Sequence, residues 1–189
     1  MKKVLSILKL FCTLLVISVG FKFLEKLFEM IHYAVYGGKR PEVFKVVIPE
    51  DWNVGVYYFL TIMSLLVIAY LIYLIVVFRK VIFNFSKDKV FTRENSERLN
   101  SVGKGLIVYG ILFLVFSVFL NMAYVFQLNE SINPMGYDLA KSKSYNLGAA
   151  LGRSVRGNLA VFVVALFIQF ISFIVVKGNE LQEENDLTI

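Results

Sequence analysis

The chain has 189 residues and a formal net charge of +6; 58% of its residues are hydrophobic, 15% aromatic and only 18% charged. Soluble domains average about 45–50% apolar and about 25% charged residues, so this composition excludes a disordered protein and a nucleic-acid-binding domain of usual make-up. A single cysteine and a single histidine supply neither an internal disulfide nor a zinc site of the common kind.

Charge-free runs carry the main signal. Residues 4–21 hold one charge, Lys9, and residues 52–78, 105–129 and 157–176 hold none. A helix that crosses a bilayer needs about 20 mostly apolar residues. Four spans are therefore expected, over about 4–28, 54–78, 104–127 and 157–177. The first begins Met1-Lys2-Lys3 and has small residues at Ser18-Val19-Gly20, which also resembles a cleavable signal peptide. Against cleavage, Phe21, Leu24, Leu27, Phe28 and Ile31 continue one helical face, so a long first helix is expected to project from the bilayer. Lys9 lies about one and a half turns in, close enough for its stem to snorkel to the headgroups.

The segment 37–53 contains Gly37-Gly38, Pro41 and Pro49. Between the prolines, Val43, Phe44, Val46, Val47 and Ile48 predict a short β element. Trp52, Tyr57 and Tyr58 follow where an interfacial aromatic belt is expected. After the second span, the connection 79–103 is polar. Thr92 is suited to N-cap a helix, Glu94 to its positive end, and Leu99, Val102 and Leu106 lead into the third span. Asn95 occupies the capping-box position where Glu or Gln is preferred. In the segment 128–156, Asn133-Pro134-Met135-Gly136 predicts a turn. Leu147, Leu151 and Val155 recur every four residues and predict an amphipathic helix on the membrane surface. The tail 178–189 is acidic.

Orientation follows from cation density. Arg79, Lys80, Lys87, Lys89, Arg93, Arg98 and Lys104 crowd the short connection between spans two and three. The totals on the two sides barely differ, but short flanking loops weigh most in the positive-inside rule. Both termini and this loop are expected in the cytoplasm. Anionic lipid then accounts for the net positive charge, and no direct nucleic-acid binding is expected.

Within the spans, Ser6, Thr13 and Gly20, and likewise Gly103, Gly110 and Ser117, recur at seven-residue spacing. Such seams suit close, left-handed helix packing. Ser117, Asn121, Gln169 and Ser172 are expected to meet other helices, since an amide facing lipid is costly. The expected fold is an all-α four-transmembrane-helix bundle with small extracytoplasmic loops. No Asp or Glu lies within the runs 4–21, 52–78, 105–129 and 157–176, which argues against a proton-coupled pump. No Ser/His/Asp set, paired carboxylates or metal cluster is visible, and His32 reads as an interfacial side chain. A non-enzymatic protein without a cofactor is expected.

Two surfaces remain as candidates. The cytoplasmic one comprises Arg79, Lys80, Thr92, Arg93, Glu94, Asn95 and Arg98 in the loop and Glu180, Glu183, Glu184 and Asp186 in the tail. Pairing between those acids and Arg79, Lys80, Arg93 or Arg98 is one expectation; a solvated tail is the other. A protein that senses or signals through a cytoplasmic partner would use this surface. The alternative is a small-molecule binding, export or immunity-type protein with a cavity near Asn121 and Gln169. A homo-oligomer is compatible with either.

The run Phe91-Thr92-Arg93-Glu94-Asn95, the four spans and the closing stretch from Gly178 to Ile189 together resemble a bacterial membrane-protein family catalogued as domain of unknown function 2975. The resemblance covers nearly the whole chain, and the tail is its most specific part. It implies no activity, because the family has none assigned. It implies a plasma-membrane location and, because genes of the family often neighbour one for a helix-turn-helix regulator, a cytoplasmic partner of that kind by analogy.

Overall fold

A computed structural model describes residues 2–44, 46, 48, 50–87, 89–132 and 139–186; it describes their side chains except at Lys2, 124–132, 139–146, Ala150, Arg153 and Asp186. The chain is all-α. Its four helices are α1 (Lys2–Tyr36), α2 (Val54–Ser86), α3 (Arg93–Ile132) and α4 (Leu139–Asp186), and each is long and apolar enough to cross a membrane.

The helices begin and end where local chemistry directs. The N–H of Gly37 bonds the carbonyl of Tyr33 as α1 finishes, and Gly37 and Gly38 adopt φ of 69° and 96°, a left-handed exit that only glycine takes freely. Asn53 caps α2, its Oδ1 accepting from the N–H of Gly55 at 2.7 Å. The Thr92 hydroxyl accepts from the N–H of Asn95 at 3.3 Å and caps α3, with Glu94 in the first turn.

Several boundaries differ from expectation. Helix α4 starts at Leu139, so Leu147, Leu151 and Val155 belong to it and form no separate surface helix. Residues 178–186 continue the same helix; no proline interrupts the stretch and its polar side chains still support i to i+4 contacts. The Asn133–Gly136 turn lies outside the described residues. The β element expected around 43–48 is not a strand. Val43 and Val46 form an isolated two-bond bridge, and there is no sheet among the described residues. The chain reverses at once because Phe44 takes a left-handed φ of 50°. That conformation costs a non-glycine residue about 1–2 kcal/mol. It seats the Phe44 ring on Phe116, stacked at 4.9 Å, and edge-on to Phe113 at 5.5 Å.

Burial differs from that of a soluble protein in what it leaves outside and which polar groups it takes in. Large side chains such as Phe21, Phe28 and Phe167 are exposed, whereas Thr61, Ser64, Ser96, Ser117, Ser154, Asn158 and Ser172 are buried. Helices in hydrocarbon gain nothing by hiding leucine from lipid, but they must pair hydroxyls and amides with one another. Four candidate spans with this pattern indicate a multi-pass membrane protein.

The chain divides into two compact units. One comprises Met1–Phe23, Ile68–Tyr109 and Val161–Ile189. Its core is Val81, Leu99, Val102, Ile168 and Val175. The other comprises Leu24–Val67 and Gly110–Ala160. There the segment after α1 is held by Lys26, which bonds the carbonyl of Glu42 and pairs with Glu29, and by Arg40, whose Nε donates to the Tyr33 hydroxyl at 3.1 Å. Tyr33, Tyr57 and Tyr58 pack ring on ring beside it.

Candidate functional site

The first unit gathers most of the charged residues singled out in the sequence. The loop between α2 and α3 turns back at Asn84, whose carbonyl accepts from the N–H groups of Lys87 and Lys89. Asn95 then fixes the turn. It is fully buried. Its Nδ2 donates to the carbonyls of Lys89 at 2.7 Å and Val90 at 3.3 Å, and its Oδ1 accepts from Asn84 Nδ2 at 2.8 Å. Asn95 is therefore spent inside the loop and offers nothing to a partner directly. An amide is needed because the position must donate and accept together, which Glu at a capping box cannot do. That is why the imperfect box carries Asn.

Two contacts tie this loop and the start of α3 to the end of α4. The Ser172 hydroxyl donates to the carbonyl of Ser96 at 2.8 Å, with the two hydroxyls 3.3 Å apart. Phe91 lies directly over Gly178, where an added Cβ would come within 2.1 Å of the ring. Glycine is required there by close approach, not by backbone angle. Gly178→Leu is expected to expel Phe91 and free the loop while the helices stay packed, because the 42%-exposed ring can swing outward. Limited proteolysis should cut within 87–92 about tenfold faster with little change in thermal midpoint; unchanged digestion would show that the contact does not hold the loop.

Between α3 and α4 at this end lies an open groove of about 430 Å³, bordered by Arg93, Glu97 and Asn100 on one side and Asn179, Glu180 and Glu183 on the other. A smaller hollow of about 300 Å³ sits beside it, between residues 89–92 and Gln182. The charges at the rim pair along their own helices. Arg93 meets Glu97 at 3.1 Å, Arg98 meets Glu94 at 2.6 Å, and Lys177 meets Glu180 at 2.6 Å. Asn179 donates to Glu183 at 2.7 Å. The cross-pairing of Glu180 with Arg93 or Arg98 is thus replaced by i,i+3 and i,i+4 pairs, which form readily once 178–186 is helical. Arg79 and Lys80 are exposed on α2, Glu184 is exposed and engaged, and the side chain of Asp186 lies outside the described set.

The intramembrane candidates fall in two places. In the first unit, Gln169 Cγ occupies the space beside Gly103, where a Cβ would lie 2.4 Å from it, and Ser172 bonds Ser96. In the second, the Ser117 and Ser154 hydroxyls lie 3.1 Å apart. Asn121 Nδ2 donates to the Ser117 carbonyl at 2.8 Å and reaches the Ser154 hydroxyl at 3.3 Å, and Asn158 Nδ2 donates to the Ser154 carbonyl at 2.7 Å. These groups satisfy one another. Sequence reasoning missed Asn84, Ser96, Ser154, Asn158 and Gly178. Asn84, Ser96 and Ser154 have partners 11, 76 and 37 positions away, and Gly178 meets Phe91 from farther still, beyond any periodic pattern; Asn158 bonds within its own helix to the Ser154 carbonyl, and small or polar residue type within an apolar run was the only signal. Of the two seams, that of α3 is used at Gly103 and Ser117, whereas Gly20 on α1 has nothing within 4 Å.

No group of His, Cys, Asp and Glu able to hold a metal occurs among the described residues. No curated protein and no solved structure matches the chain significantly. A family profile, described as Protein of unknown function (DUF2975), matches residues 10–189. The chain, with its four apolar helices, belongs to that family.

Proposed function

We propose that this is a non-enzymatic bacterial plasma-membrane protein that signals through a cytoplasmic partner. Both termini and the 79–103 loop face the cytoplasm in this reading, as the cation density of the loop favours. The observation that carries it is the joining of two separate charged segments into one surface: Phe91 on Gly178 and Ser96 on Ser172 bring the start of α3 and the end of α4 to opposite sides of one groove. A solvated loop and a loose tail would need neither contact. The partner's contacts are assigned to Arg93, Glu94, Arg98, Glu180 and Glu183 at and around the rim, with Asn95 and Thr92 holding the shape beneath. The reading as a small-molecule carrier has less support, because the polar groups at Ser117, Asn121 and Ser154 are bonded to each other.

The test is affinity purification in mild detergent of the full chain and of a form ending at Lys177. A protein retained by the first and lost from the second is the expected result. Gly178→Leu should lose it too, with the helices intact. If all three forms purify alone as the same species, the docking reading fails.

A further inference from the structure

The first unit holds a second cluster of cations, away from the groove and unlike it in character. Arg79, Phe83 and Lys87 follow at four-residue intervals along the end of α2, so they share one face as far as the helix runs. Helix α1 brings Lys9 to the same place. Lys9 Nζ stands 4.9 Å from the centre of the Phe83 ring and Lys87 Nζ stands 4.4 Å from it. Two ammonium groups thus converge on one ring, and Arg79 is exposed one turn away. The ion pairs of Lys26, Arg93, Arg98 and Lys177 lie elsewhere. The face of an aromatic ring attracts an exposed cation only weakly. It does not cancel the repulsion between two of them, and an anion does.

We propose that Lys9, Lys87 and Arg79, gathered around Phe83, form a headgroup site for an anionic phospholipid. The surroundings select an amphiphile over a free anion. Lys9 sits inside the apolar run 4–21, between Leu8 and Leu10, which are 38% and 62% exposed, and Phe83 is itself 40% exposed. A phosphate held by this group of cations therefore places its acyl chains along exposed α1 side chains. The stem of Lys9 reaches toward the interface from within the span, and the anion it meets there relieves the cost of its depth. The site depends on the chain being embedded in a bilayer and not on the partner reading above.

Native mass spectrometry of the full chain in mild detergent tests this, with phosphatidylglycerol and phosphatidylcholine added at equal concentration. The wild type should retain about tenfold more phosphatidylglycerol, and Lys9→Gln with Lys87→Gln should abolish that preference, since cations near a membrane surface draw anionic headgroups over neutral ones. Lys22→Gln with Lys39→Gln removes equal charge from exposed lysines elsewhere and should leave it within about twofold. Lys9→Arg with Lys87→Arg should keep it. If the double Gln variant fails to fold, Lys87→Gln alone, at an exposed position beyond the helix end, should halve the preference or more. Equal retention of the two lipids by the wild type overturns the proposal. So does equal loss in both double Gln variants. Inorganic phosphate that binds without lipid and displaces phosphatidylglycerol overturns it in favour of a free-anion site.

Discussion

Asn95→Leu is expected to destabilise the protein by about 2–4 kcal/mol, since three polar groups lose a partner and each costs about 1–3 kcal/mol where water cannot replace it. Asn84 Nδ2 and the carbonyls of Lys89 and Val90 are those groups. Lys89 is exposed and Val90 half-buried, so water recovers part of the loss and the total stays below the sum. Asn95→Asp is the sharper variant. It keeps the shape and the bond from Asn84 but turns a double donor into an acceptor that faces two carbonyls. A destabilisation close to that of the Leu variant is expected. The chain's one cysteine, Cys12, is free and buried, so a thiol-reactive dye reports the thermal midpoint directly. An Asp variant that melts with the wild type would show that the amide does not hold the turn.

Gly103→Leu should cost about 2–4 kcal/mol, at the upper end of overpacking effects. An added Cβ there lies 2.4 Å from Gln169 Cγ and 3.0 Å from the carbonyl oxygen of Ala165. Gln169 can turn aside, but the Ala165 carbonyl belongs to the backbone of α4 and cannot. The residues concerned border the Leu99–Val102–Ile168 core, so the loss spreads through the first unit. Gly20→Leu is the matched control. Nothing lies within 4 Å of that position, and in a helix interior loss of glycine gains up to about 1 kcal/mol of propensity. The same dye assay should therefore show a large fall for Gly103→Leu and no fall for Gly20→Leu. Equal midpoints would mean that α3 and α4 do not approach closely at Gly103.

The groove between α3 and α4 divides in the same way between what is visible along the chain and what is not. Thr92 and Glu94 mark a helix start because capping acts over three residues, and α3 begins at Arg93 accordingly. Asn95 sits in the same motif, yet its burial comes from Asn84 and from the carbonyls of a turn whose path no local rule gives. The cation-rich loop beside the tail acids made cross-pairing one expectation and a solvated tail the other; Glu180 meets Lys177 instead. Once α4 continues to Asp186, Lys177 is one turn from Glu180, and neighbours on a helix meet before distant loops do. The expected strand failed for a comparable reason. Val43, Phe44 and Val46 have β propensity, but a strand needs a second strand, and Phe44 instead buries its ring against Phe113 and Phe116.

Local sequence by itself determined that this chain has four long apolar helices, and it located the cap at Thr92. Those features depend on hydropathy over about 20 residues and on hydrogen bonds within one turn, both of which are written in consecutive residues. Only the tertiary structure decided which glycine faces a neighbour, which serine pairs with which, and that Phe91 covers Gly178. In a bilayer, apolar side chains do not say which face turns inward, because lipid and protein are equally apolar. The choice rests on a few small and polar residues whose partners lie far along the chain, so it emerges only when the helices meet.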